Sequence, residues 1–110
     1  MQIPGADRAV VEPAKVRDYL LAREHPIGRF KARVFATAGY RSDNWPDLQR
    51  DLQVIARSAD AVLARSEGYG QVFEIRAILH GPEGTLAVLT VWILRTGESV
   101  PRFVTAYPSV

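Results

Sequence analysis

Apolar residues recur with a helical period over the first half of the chain and with a period of two over the second. Pro13 suits a first helical turn, and Val16, Tyr19 and Leu20 then follow at i, i+3 and i+4 spacing. This predicts a short helix that stops near His25, because Pro26 disfavours helical geometry in the residue before it. Phe30, Val34 and Ala38 share a second stripe, with Phe35 near its edge and Gly39 placed to cap it. Ser42, Asp43 and Asn44 offer N-cap oxygens for a third helix, with Pro46 and Asp47 in its first turn. Leu48, Leu52, Ile55, Ala59 and Val62 continue as one buried stripe, and Glu67-Gly68-Tyr69-Gly70 ends it.

From Gln71 the period is two: Phe73, Ile75, Ala77 and Leu79 alternate with Val72, Glu74, Arg76, Ile78 and His80. Gly81-Pro82-Glu83-Gly84 and Thr96-Gly97-Glu98-Ser99 read as turns around an apolar central strand, Thr85 to Arg95. Val100 to Tyr107 completes the set, with Pro101 at its start. Helices followed by a meander make an α+β fold, with N-terminal helices on one face of a three- to four-stranded antiparallel sheet. Residues 1–110 form one expected domain, of which 1–12 are an irregular or extended lead-in. Symmetric turns would set Phe73 opposite Trp92, Trp92 opposite Phe103, Thr90 opposite Thr105 and Val88 opposite Tyr107. One face then carries Phe73, Ile75, Thr90, Trp92, Phe103, Thr105 and Tyr107. The other, with Leu89, Val91, Ile93, Val104 and Ala106, is cleanly apolar and is the expected seat of the helices. A slip of one residue would exchange the two faces.

Composition narrows the function classes. The chain of 110 residues is 47% hydrophobic and 24% charged, which is ordinary for a globular domain and argues against disorder. It contains no cysteine and two histidines, so disulfides, zinc-thiolate sites and thiol nucleophiles are excluded and a transition-metal site is not expected. No Walker loop, dinucleotide fingerprint, HExxH spacing or nucleophile elbow is present, so no cofactor is expected. The longest apolar stretch, Leu86 to Leu94 interrupted by Thr90, is too short to span a bilayer. No basic stretch followed by an apolar one opens the chain, so the cytoplasm is the expected compartment and no membrane partner is expected. Residues 1–65 hold eleven basic and eight acidic groups, whereas 66–110 hold three and four. The densest basic cluster is Arg23, Arg29, Lys31 and Arg33 with His25, opposed by Glu24 alone. Guanidinium forks and a helix N-terminus both suit a phosphate, and a solvated helix face is the plain alternative.

Within that cluster, Pro26 and Gly28 set His25 in a sharp turn ahead of the second helix. A turn histidine of this kind either titrates in a site or bonds a nearby carbonyl. Lys31 borders the apolar stripe, so it either snorkels or works in a site. Lys15 to Leu21, His25-Pro26-Ile27-Gly28-Arg29-Phe30-Lys31-Ala32-Arg33-Val34-Phe35, Thr90-Val91-Trp92-Ile93 and Pro101 to Pro108 together resemble a family of small, uncharacterised bacterial domains. Members of that family occur alone or at the C-termini of polymorphic toxins. Their layout is similar to the barnase–EndoU–colicin–RelE group of ribonucleases, which act without a metal.

The resemblance implies a toxin-type endoribonuclease with RNA as substrate and a cognate antitoxin or immunity protein as partner. It assigns acid or base work to His25, phosphate stabilisation to Lys31 and Arg33, and phosphate orientation to Thr105 and Tyr107. Arg29 and Arg102 would bind substrate, and Trp92 would stack on a base. One departure stands out: no glutamate pairs with His25, and the alternation puts Glu74 on the face away from the expected working surface. Two other classes remain open, a non-catalytic protein-binding module and an RNA-binding domain without turnover.

Overall fold

A computed structural model describes residues 1–109. The lead-in is irregular but packed, since Ile3, Ala6, Ala9 and Val11 are all buried. Helix α1 (Pro13–Lys15) widens directly into a π-helical turn, Val16–Leu20, closed by the amide of Leu21 donating to the carbonyl of Val16 at 2.9 Å. The turn sends Val16 and Leu20 into the core and leaves Tyr19 half-buried beside it. Helices α2 (Arg29–Thr37) and α3 (Trp45–Ala56) follow. Strands β1 (Val62–Glu67), β2 (Gly70–Gly81), β3 (Gly84–Arg95) and β4 (Arg102–Pro108) then form an antiparallel sheet in chain order. The helices precede the sheet and pack on it, as the change of period predicts.

Two helical stripes need correction. In α2 the buried residues are Ala32 and Phe35, with Ala38 at the C-cap, while Phe30 and Val34 face solvent. Gly39, at φ 92°, closes the helix in the left-handed conformation that glycine tolerates. Helix α3 buries Leu48, Leu52 and Ile55 as expected but stops at Ala56. Ala59 and Val62 extend its stripe only by coincidence of spacing, because Val62 begins β1, an edge strand exposed along its whole length.

The two sheet faces are also exchanged. Phe73 opposite Trp92 and Trp92 opposite Phe103 hold, but Thr90 lies opposite Ala106, and Val88 opposite Pro108. The cause is a bulge: Trp92 pairs with Phe103 and Val91 with Thr105, so Val104 is an extra residue in β4. Beyond it every side chain changes sides. Ala106 therefore enters the core, and Thr105 and Tyr107 align instead with Val91 and Leu89. The helices cover Phe73, Ile75, Leu79, Val88, Trp92 and Phe103, whose larger rings bury more apolar area than the aliphatic face offers. Thr90 is buried among them at no unpaired cost: its hydroxyl donates to the carbonyl of Ile75 and accepts from Trp92 Nε1, both at 2.9 Å. Leu89, Val91 and Ile93, the expected seat of the helices, line the uncovered face.

The outer edge of β4 is closed by the lead-in. Val10 donates to Pro101 and accepts from Phe103 in a single parallel bridge outside the four sheet strands. Helix α2 packs beside the later part of the same strand, which brings Lys31 to Thr105.

Candidate functional site

Gly28 sets the approach of α2 to the π-helical turn, because a Cβ there would overlap the carbonyl oxygen of Tyr19. Only a glycine lets the two helical segments meet this closely. The contact places Lys31, in the first turn of α2, against Tyr19. The Lys31 ammonium donates to the Tyr19 phenol oxygen at 3.1 Å and to Thr105 Oγ1 at 2.9 Å. It also stands 4.2 Å from the centroid of the Tyr107 ring and 5.1 Å from that of Tyr19. Lys31 is half-buried, and no carboxylate lies within ion-pair distance of it among the described residues. An ammonium has three donors and two are engaged, so one donor and a full positive charge are left for a ligand. Hydroxyls and aromatic faces orient the cation without neutralising it.

His25 reaches this group through Tyr19, its ring lying edge-on to the tyrosine ring at 5.2 Å. Its Nδ1 accepts from the amides of Ile27 at 3.0 Å and Gly28 at 2.9 Å. Two donors on Nδ1 put the proton of the neutral ring on Nε2. In that tautomer Nε2 has no lone pair with which to accept a proton, and loss of its own would leave an imidazolate. The expectation that His25 serves as acid or base is therefore corrected: the ring caps the turn that launches α2. The same bonds engage the amides of Ile27 and Gly28 just ahead of α2, so neither of these two is open to a phosphate. The plain alternative is revised as well, since the ring accepts from amides and does not donate to a carbonyl. We expect His25→Ala to lower stability by about 1 kcal/mol, in the range of a lost helix cap. His25→Asn should recover part of it through its side-chain oxygen. An unchanged melting temperature in the alanine variant would show that the ring does not hold the turn.

The other candidates divide. Thr105 and Tyr107 join Lys31, as described. Arg29 and Arg33 sit about 200° around α2 from Lys31, given about 100° per residue. They flank the exposed Phe30 ring at 4.9 and 5.9 Å and do not enter the Lys31 group. Arg102 is committed to Glu98 at 3.2 Å and Glu12 at 3.3 Å, so its charge ties β4 to the lead-in and is not free for substrate. Trp92 is fully buried and edge-on to Phe103 at 5.3 Å, so it has no exposed face on which a base can stack.

Sequence reasoning missed Tyr19, which it placed only as part of a core stripe. It also misplaced Glu74. The observed register sets Glu74 opposite Val91, which is opposite Thr105, so all three share the uncovered face. Two strand spacings separate Glu74 from Thr105, about 10 Å. Lys31's hydrogen bond holds the Tyr19 phenol below its usual range; burial opposes this, and the Thr105 hydroxyl and the Lys15 charge support it. The Tyr40 phenol, buried and donating to Asp51 Oδ2 at 2.6 Å, is pushed the other way, above the usual range, by burial first and Asp51 second. No group of three or more His, Asp or Glu side chains is placed to hold a metal ion among the described residues. Nor is any helix among them long and apolar enough to cross a membrane.

The fold is similar to that of a chain in a solved structure titled "Contact-dependent growth inhibition toxin - immunity protein complex from Klebsiella pneumoniae 342". The TM-score is 0.76 at 17% identity, covering 96% of this chain and 97% of that one. At that identity the likeness establishes shared architecture. No curated protein matches this chain. A family model described as Domain of unknown function (DUF6883) matches residues 2–110, and the chain belongs to that family.

Proposed function

We propose that this chain is a metal-independent endoribonuclease of bacterial toxin type, cleaving RNA by attack of a ribose 2′-hydroxyl on the adjacent phosphate. One observation carries the reading: the Lys31 ammonium is half-buried, fixed by two hydroxyls and left without a counter-ion among the described residues. Such a cation is preorganised for the charge that builds on a five-coordinate phosphate. Thr105 and Tyr107 orient the phosphate beside it, while Arg29 and Arg33, farther round α2, hold neighbouring phosphates. A net charge of +2 gives little long-range steering, so recognition acts at contact range. Likeness in fold to a chain of a toxin–immunity complex supports the toxin setting and a cognate antitoxin or immunity protein as partner. RNA as substrate places the action in the cytoplasm.

Purified protein is expected to cut total RNA in EDTA and to leave 2′,3′-cyclic phosphate ends. A second reading, a non-catalytic protein-binding module such as an immunity protein, is favoured by the uncovered stripe of Leu89, Val91 and Ile93. Intact RNA after prolonged incubation would decide for that module.

A further inference from the structure

We infer that Tyr19, held against Lys31, is the group in this site that exchanges a proton with the substrate. The inference deepens the ribonuclease reading and supplies what it lacks once His25 is assigned to the turn. A 2′-hydroxyl becomes a nucleophile only when a base takes its proton. Nδ1 of His25 is occupied by two amides, and an ammonium has no lone pair to offer. Two phenols then remain beside Lys31, and they differ in how it meets them: the ammonium donates to the oxygen of Tyr19 but stands over the ring of Tyr107, so it supports the conjugate base of Tyr19 directly.

The geometry favours that conjugate base. Lys31 Nζ donates to the phenol oxygen at 3.1 Å, a bond that strengthens when the oxygen carries a full negative charge. The groups facing Tyr19 come from each element around it: Lys31 from α2, Lys15 from α1, His25 from the turn and Thr105 from β4, while Tyr107 of the same strand meets Lys31. None of those that shift its ionisation is a carboxylate. The π-helical turn of Val16–Leu20 buries Val16 and Leu20 while holding Tyr19 at this boundary.

In the step itself the Tyr19 phenolate takes the 2′-hydroxyl proton, and the 2′ oxygen forms a bond to phosphorus. The bond from phosphorus to the 5′ oxygen breaks, that oxygen takes a proton from water, and the hydroxide so formed takes the proton back from the Tyr19 phenol, which restores the phenolate. Lys31 stays protonated throughout and compensates first the phenolate and then the phosphate. The products are a cyclic phosphate and a 5′-hydroxyl, and no redox partner enters.

Two measurements on the full chain test this. Absorbance titration of its four tyrosines at 295 nm should show one ionising ahead of the ordinary phenol range near pH 10. That first step should vanish in Tyr19→Phe and move upward in Lys31→Met. RNA cleavage by Tyr19→Phe should fall about 100-fold with KM little changed, and the acidic limb of the pH–rate profile should flatten. A phenol that merely anchors Lys31 would lower the rate and leave that limb in place, which would overturn the inference. So would an early tyrosine step that survives in Tyr19→Phe. Absence of cleavage by the wild-type chain would overturn the ribonuclease reading instead, and the titration would still decide whether Lys31 activates Tyr19.

Discussion

Lys31→Met is expected to slow RNA cleavage about 100-fold or more while the melting temperature moves by only a few degrees. The two effects separate because the ammonium contributes differently to each. In the folded protein it stands half-buried with no carboxylate partner among the described residues, so its charge gains little from them. Removing it leaves Tyr19 and Thr105 with hydroxyls able to turn to each other or to water, a loss of about 1 kcal/mol. Methionine keeps most of the aliphatic stem and loses only the ammonium, with its contact over the Tyr107 ring. Toward a phosphate the balance reverses, because a fixed cation in a partly dry site acts on charge that appears only as the reaction proceeds. Lys31→Arg should recover part of the rate: it restores the charge, but a planar fork does not reproduce an ammonium's donors to two hydroxyls on separate elements. Cleavage by Lys31→Met at the wild-type rate would remove Lys31 from the mechanism.

The meander and its turns are legible in the sequence because alternation and Gly-Pro punctuation fix them locally. Phe73, Trp92 and Phe103 fall opposite one another by simple counting from the turns. Counting fails at Val104, since a bulge adds one residue without leaving any trace in the alternation, and Thr105, Ala106 and Tyr107 are carried to the other side. Strand β1 escapes for a different reason. As an exposed edge it alternates neither in polarity nor in burial, while Ala59 and Val62 happen to prolong the stripe of α3. Of the site, Lys31, Thr105 and Tyr107 are visible as residues, but their meeting depends on the bulge and on the seating of α2 beside β4. Tyr19 reads as a core position until the π-helical turn places it at the boundary. His25 stands where its turn predicts, and only the two amides on Nδ1 reveal that the turn consumes the ring.

Trp92→Ala should be the most damaging core substitution, costing about 3–5 kcal/mol, with a fall of about 15 °C or more in melting temperature for a chain of this size. The indole is fully buried in the second half of β3, against Phe103 and under the helices. Part of the loss is area and cavity, and part is the bond from its Nε1 to Thr90. The two parts separate by a double-mutant cycle. Thr90→Val alone strands a buried indole donor and should cost about 1–3 kcal/mol. Trp92→Phe alone removes that donor but leaves Thr90 its bond to the Ile75 carbonyl. Combined, the two substitutions remove donor and acceptor together, so the second should cost less in the presence of the first. Trp92 lies on the helix-covered face while Lys31 meets Thr105 beside β4. Trp92→Phe should therefore keep RNA cleavage close to the wild-type rate at temperatures where it stays folded. A selective loss of RNA binding by folded Trp92→Phe would instead put the indole in contact with substrate. Strictly additive costs in the cycle would mean that the Trp92–Thr90 bond contributes nothing to the stability of the sheet.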